Sequence, residues 1–159
     1  MHRVIEISNP LKPDMSGLAI GHTTSAAEEI AGGTPGAKVV KAFNTVFAHV
    51  LGGQDTAAEQ VQVFYAGEDD AAKASVRSLI ESMGFEPIDA GPLSNARYLE
   101  PLGMLNIYLG YVAKMGTDIA PAVRRARSAD AEARDRDERE TARAGAVTGR
   151  SQESRPSAG

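Results

Sequence analysis

Between Val61 and Asp89 the chain changes period twice, and this run restricts the fold more than any other. Val61 to Ala66 is a short run of branched and aromatic residues, the composition of a buried strand. Asp69 to Met83 then places Ala72, Val76, Leu79, Ile80 and Met83 at three- and four-residue spacings, which predicts an amphipathic helix stopped by Gly84. Phe85 to Asp89 returns to a strand pattern. A strand, a helix and a strand in immediate succession predict a crossover unit and a sheet with substantial parallel pairing.

The segments before this run repeat the alternation. Arg3 to Ser8 predicts a strand that ends at Asn9-Pro10, because proline cannot donate to a ladder. Ser25-Ala26-Ala27-Glu28 has the spacing of a capping box and opens a short helix to about Ala31, before Gly32-Gly33-Thr34-Pro35-Gly36. Lys38 to Phe43 predicts the next strand, and Val46 to Leu51 a helical segment ended by Gly52-Gly53. From Asn95 to Lys114 the sequence is apolar almost all round, with Leu99, Leu102, Leu105, Leu109 and Val112 on one stripe and Ile107, Tyr108 and Tyr111 on others. Such a helix packs centrally or pairs with another subunit. Pro101 suits the first turn of a helix that begins near Leu99.

Charge divides the chain. Residues 1–121 hold 8 Lys/Arg against 14 Asp/Glu, a net of -6, and residues 122–159 hold 9 Arg against 7 acids, a net of +2. The second segment has only Val123 and Val147 as branched apolar residues, too few to offset the entropy of ordering, so a disordered charged tail is expected there. The expected organisation is one α/β domain over 1–121 followed by that tail.

Several function classes recede on composition. The overall charge of -4 and the 5% aromatic content argue against nucleic-acid binding. No stretch approaches the roughly 18 apolar residues of a membrane span, and the N-terminus is too short in apolar residues for a signal peptide. Without cysteine there is neither a disulfide framework nor a thiolate site, and a cytoplasmic setting is expected. His2, His22 and His49 lack metal-ligand spacing, Glu68-Asp69-Asp70 reads as the cap of the following helix, and no catalytic or metal site is predicted. No G-x-G-x-x-G occurs between a strand and a helix.

Four segments in order carry a family signal: Ile5-Glu6-Ile7-Ser8-Asn9-Pro10-Leu11, Pro35-Gly36-Ala37-Lys38-Val39-Val40-Lys41-Ala42-Phe43-Asn44-Thr45, Val63-Phe64-Tyr65-Ala66-Gly67-Glu68-Asp69, and Asp89 to Glu100. In order and spacing they resemble the C-terminal portion of the NADPH-dependent reductases of the deazaflavin coenzyme F-420. The resemblance runs from about Ile5 to Pro121. It implies an incomplete Rossmann-like sheet with crossover helices, a long apolar C-terminal helix, and a missing or truncated dinucleotide-binding front half. It implies NADP(H) as cofactor, with coenzyme F-420 or a flavin as hydride partner. Asn9, Pro10 and Leu11, with Asn44, Thr45, Val46 and Ala48, are implied to border the nicotinamide, and Leu93 and Ser94 to face the second coenzyme. Archaeal members often carry His and Pro where this chain has Asn44 and Phe47. Arg97 and Glu100 are read as braces of the preceding turn.

On this resemblance the chain is expected to be a reductase fragment, inactive alone, with a homo-oligomer contact through the Leu99–Val112 helix and an upstream dinucleotide-binding polypeptide as a further partner. The alternative is a non-catalytic dimerisation module built on the same fold.

Overall fold

The computed structural model describes residues 2–53 and 61–125. One compact unit spans Met1–Val123; a second, Arg124–Gly159, is described only at its first two residues, so the expected tail lies outside the described residues from 126 on.

Four strands form one sheet in the order β1 (Arg3–Glu6), β2 (Lys38–Ala42), β3 (Gln62–Gly67), β4 (Glu86–Asp89). β1 pairs with β2 and β3 with β4 in parallel, and β2 runs antiparallel to β3. The α/β class and the parallel pairing expected from the crossover pattern are both present. Helix α1 (Ala26–Gly33) connects β1 to β2, α2 (Ala48–Gly52) follows β2, and α3 (Asp70–Ser82) connects β3 to β4.

The two sheet faces are covered by different helices. Val40, Ala42, Val63 and Tyr65 point to one face and pack under Ala72, Val76 and Ile80 of α3, joined by Phe85. Phe64 and Ala66 point to the other, against Leu99, while Val39 meets Ala27 and Ala96. Every residue of β3 is buried, as a strand covered on both faces requires. Caps set the helix starts. Ser25 Oγ accepts from Glu28 N (3.2 Å), and Asp69 accepts from Ala72 N (2.9 Å). The Ala72 N–H, with Lys38 nearby, holds the Asp69 carboxyl below its ordinary value.

The last helical region begins earlier than its proline suggested. A 3-10 turn at Leu93–Asn95 leads into α4 (Ala96–Ile107), and a π-helical turn carries the helix on through Tyr108–Val112. Pro101 is therefore inside α4 rather than in the first turn of a helix starting near Leu99. The long apolar helix expected here is thus 12 residues of α-helix with a π-helical end. Tertiary bonds explain the early start. Glu100 is anchored below and Leu99 O accepts from Asn44, so the turn before Pro101 is held helical despite the missing N–H.

That anchor is a buried charge network. Lys41 of β2, wholly buried, donates to Glu6 at the end of β1, to Ser8 O (2.6 Å) and to Glu100 of α4 (3.0 Å). Glu100 in turn accepts from Ala26 N (3.1 Å) and Ala27 N (3.3 Å), the open N–H groups of α1. Lys41→Met should leave two buried carboxylates facing each other and cost on the order of 3 kcal/mol in denaturant unfolding. Adding Glu6→Gln and Glu100→Gln should recover part of that loss. A single variant as stable as the parent would show that the network carries little.

A second pair links α1 to α4 nearer the surface. Arg97 Nε donates to Glu28 (2.8 Å), and this bond, aided by Ser25, holds the Glu28 carboxyl below its ordinary 4.5. Because the folded value is depressed, the pair's stabilisation is present above the ordinary value and is lost as pH falls through the lower folded one. Thermal melts taken from neutral to strongly acid pH should therefore show a shallower acid limb for Glu28→Gln than for the parent.

Candidate functional site

β1 and β2 are parallel neighbours, and their C-terminal ends release two short turns side by side, the position where open α/β sheets bind ligands. Asn9 lies on the first turn and Asn44 on the second. The side chains lock the turns together: Asn9 Nδ2 donates to Asn44 O (2.8 Å), and Asn44 Nδ2 donates to both Asn9 Oδ1 (2.9 Å) and Leu99 O (2.8 Å). With both amide hydrogens of Asn44 directed at acceptors, the side-chain orientation is fixed by its partners. Phe43, just before Asn44, has φ +63, a strained backbone for a buried aromatic residue and a mark of a turn held by its surroundings.

These turns and α4 enclose a cavity of about 340 Å³. Asn9, Leu11 and Met15 line it from the first turn, Asn44 to Ala48 from the second, and Gly103, Asn106, Ile107 and Tyr111 from the helix. Six of the nine residues expected from the resemblance, namely Asn9, Leu11, Asn44, Thr45, Val46 and Ala48, therefore share one wall system. Pro10 sits between two of them. Leu93 and Ser94 are elsewhere: Leu93 lines a separate cavity with Ala31, Ala37, Val39 and Glu68, and Ser94 lies in the 3-10 turn beside it. Arg97 and Glu100 brace α1 rather than that turn.

The helix side of the cavity was not foreseen from the sequence. Gly103 is a close-approach glycine, since a Cβ there would lie 2.5 Å from Asn9 Oδ1 and 2.9 Å from both Asn44 Nδ2 and Asn44 O. Asn106, a buried amide on an otherwise apolar stretch, donates to Thr45 O (3.1 Å). A glycine and a lone amide three residues apart in an apolar helix were the available signal. Gly110 plays a similar part for Phe47, whose ring would be 2.7 Å from an added Cβ, and Phe47 meets Tyr111 edge to face at 5.5 Å. His49, one residue past Ala48, has its Nε2 2.8 Å from Asp118 Oδ1.

The chemistry on offer is recognition. Tyr111 is the one titratable side chain lining this cavity, and the other walls are amide, hydroxyl and apolar. Among the described residues no cluster of three His, Cys, Asp or Glu is placed to hold a metal ion. Two buried polar atoms of the cavity residues, Asn44 Oδ1 and Thr45 Oγ1, have no hydrogen-bond partner. Both atoms have essentially no accessible surface, so they are sealed behind the cavity wall, and each unsatisfied buried group costs about 1–3 kcal/mol.

A solved structure from Arthrobacter sp. FB24, assigned as an F420-dependent NADP-reductase, is 33% identical and matches with a TM-score of 0.70 over 77% of this chain and 57% of its own. A hypothetical protein from Sinorhizobium meliloti is 35% identical with a TM-score of 0.53, over 59% of this chain and 47% of its own. Among curated proteins, rat metalloreductase STEAP3 is 35% identical over 104 residues and human metalloreductase STEAP2 is 32% identical over 113. The chain spans about a fifth of the length of those two relatives, 20% and 21%. No protein-family model matches the chain. In sequence and fold the chain is thus related, over the part it shares, to the F-420-dependent NADP reductases, and its fold is of the NADP-dependent oxidoreductase type. No helix among the described residues is long and apolar enough to cross a membrane.

Gly103→Ala tests the close approach that shapes the cavity. The added methyl must separate α4 from the Asn9–Asn44 pair, and a loss of about 1–3 kcal/mol in stability is expected. The side-chain amide resonances of Asn9 and Asn44 should shift together in that variant. Unchanged stability and spectra would mean that the helix does not press on the pair.

Proposed function

We propose that this chain supplies the nicotinamide-side wall of an NADP(H)-dependent oxidoreductase, in which hydride passes between NADPH and a deazaflavin of the F-420 type or a flavin. The observation that supports the reading is the cavity at the ends of two parallel strands, walled by the interlocked Asn9 and Asn44 turns and by Gly103 of α4. The partly exposed amide of Asn9 beside Leu11, Val46, Ala48 and Ile107 suits a flat ring with an amide substituent.

When bound, NADPH supplies the hydride itself, and the chain's residues orient and shield. Asn9 and Asn44 hold the two turns at fixed separation. Asn9 offers a polar contact, and Phe47 with Tyr111 closes the apolar side against water. None of these groups is asked to donate or remove a proton. Leu93 and Ser94 belong, in this reading, to the side that meets the second coenzyme. The G-x-G-x-x-G turn that anchors a pyrophosphate is not among these residues, so the chain binds NADPH weakly and turns it over only with a dinucleotide-binding segment in place.

Amide chemical-shift mapping with NADPH tests the assignment. Shifts are expected at Asn9, Thr45, Ala48 and Gly103, with no saturation at sub-millimolar ligand. Micromolar saturable binding by calorimetry would overturn the claim that affinity resides in the phosphate turn. A response absent from the Asn44–Ala48 segment would overturn the nicotinamide assignment itself.

A further inference from the structure

Met15 stands in a backbone conformation that does not suit it, at a place where its side chain lines the cavity. Its φ is +58, in the left-handed region that glycine and asparagine adopt at little cost and methionine does not. The loop around it is closed by the main chain. Leu11 and Leu18 bridge antiparallel, Lys12 N donates to Gly17 O (2.9 Å), Met15 N to Lys12 O (2.8 Å) and Ala19 N to Pro10 O (2.7 Å). Asp14 Oδ1 accepts from Ser16 N (3.0 Å). None of these bonds uses the Met15 side chain, which is 57% exposed and is the one long apolar group in the run Lys12-Pro13-Asp14-Met15-Ser16-Gly17. Glycine or asparagine there would relieve the strain and the exposure together, so the loop gains nothing from its methionine. The cavity does. Tyr111, 56% exposed, is the matching large side chain on the helix wall, whereas Leu11, Val46, Phe47 and Ile107 are buried or half-buried.

We propose that Met15 is a covering residue for the flat ring that enters this cavity: its thioether packs on one face of the nicotinamide of NADP(H) and leaves the other face to the hydride partner. The proposal rests on the nicotinamide reading above and adds to it a side chain that touches the ring. A methionine suits the task. It is unbranched, has three rotatable bonds and carries a polarizable sulfur that makes favourable contacts with aromatic rings, so it can follow a ring that changes between its oxidised and reduced forms. It also brings no proton and no charge to the hydride. The bonds of the loop fix the Met15 backbone while the exposed side chain keeps its rotamers, so the cover opens and closes by side-chain rotation and the Leu11–Leu18 loop stays closed.

The chain has five methionines, so methyl-labelled methionine gives five resonances in the full-length protein, and Met15→Leu identifies one of them. On titration with NADP+, whose nicotinamide is aromatic, the Met15 methyl should move upfield. 2′-Phospho-ADP-ribose, which lacks that ring, should leave it in place. Met15→Gly should melt no lower than the parent, because glycine takes the positive φ freely. It should also weaken NADP+ binding, followed at the Ala48 amide, by about 2- to 10-fold, the range of a thioether–ring contact, and Met15→Leu should recover part of that loss. If the glycine variant misfolds, the methyl shift in the parent still decides. Amide shifts at Asn9 and Ala48 with a silent Met15 methyl would overturn the cover and leave the nicotinamide assignment standing, whereas silence at both would overturn both. An equal methyl response to 2′-phospho-ADP-ribose, or a folded Met15→Gly that binds NADP+ as tightly as the parent, would also overturn the cover.

Discussion

One buried ammonium group holds the architecture in place. Lys41 reaches three acceptors on three different segments: Glu6 at the end of β1, Ser8 O on the turn after it, and Glu100 on α4. All three of its donors are used. Glu100 extends the network to the start of α1 through Ala26 N and Ala27 N. Replacing such a network by apolar residues can be neutral or even stabilising, so its value here lies in register. A greasy contact would let α4 slide or rotate over the sheet, whereas the carboxylate of Glu100 has one place to go. With Glu100 fixed, the neighbouring Leu99 O is presented to Asn44, and Gly103, one turn on, comes to rest on the Asn9–Asn44 pair. The cavity is a consequence of that placement.

What the sequence made legible was periodicity and punctuation. The period-3.6 stripe of α3, the uniform apolar character of β3, the Ser25 cap and the Asp69 cap all announce local structure, and they are where they were expected. Pairing direction was less accessible. Nothing local distinguishes β2 antiparallel to β3 from the parallel alternative, because direction is set by the connection rather than by the strands. Pro101 misled for a related reason. Its preference for a first turn is worth a few kcal/mol at most, and the bonds made by Leu99 O and Glu100 outweigh it. Lys41 was legible as a strand residue and not as a buried one, since a lysine in a strand ordinarily points to water.

For the candidate site the division is similar. The two asparagine turns carried a family signal in the sequence, and the fold brings them to adjoining strand ends. In the helix that completes the cavity the quoted signal stops at Glu100, and Gly103 and Asn106 acquire meaning only when α4 is laid across the turns. Leu93 and Ser94 show the reverse case: close in sequence to the α4 region, they sit in the 3-10 turn away from this cavity, and Leu93 lines a different one. Sequence proximity to a site element is a poor guide when a turn of under four residues can redirect the chain.

The all-round apolar character of the Leu99–Val112 segment also resolves into parts once the helix is placed. An apolar helix can be central, or it can serve two partners on two faces. The inner stripe ends on glycines at 103 and 110, which allow side chains of the turns to approach the helix axis, while the outer stripe keeps its tyrosines and Leu105. Small residues inside and large ones outside are the reverse of what a helix packed on one sheet and otherwise facing water would show. The inner choice is explained by the close approach of Asn9, Asn44 and Phe47. The outer choice has no counterpart within the described residues, and a surface of that kind is retained against the cost of exposure only when something covers it. The same helical region thus fixes the wall of the cavity on one side and leaves an exposed apolar stripe on the other, so that any change in helix register would be felt at both.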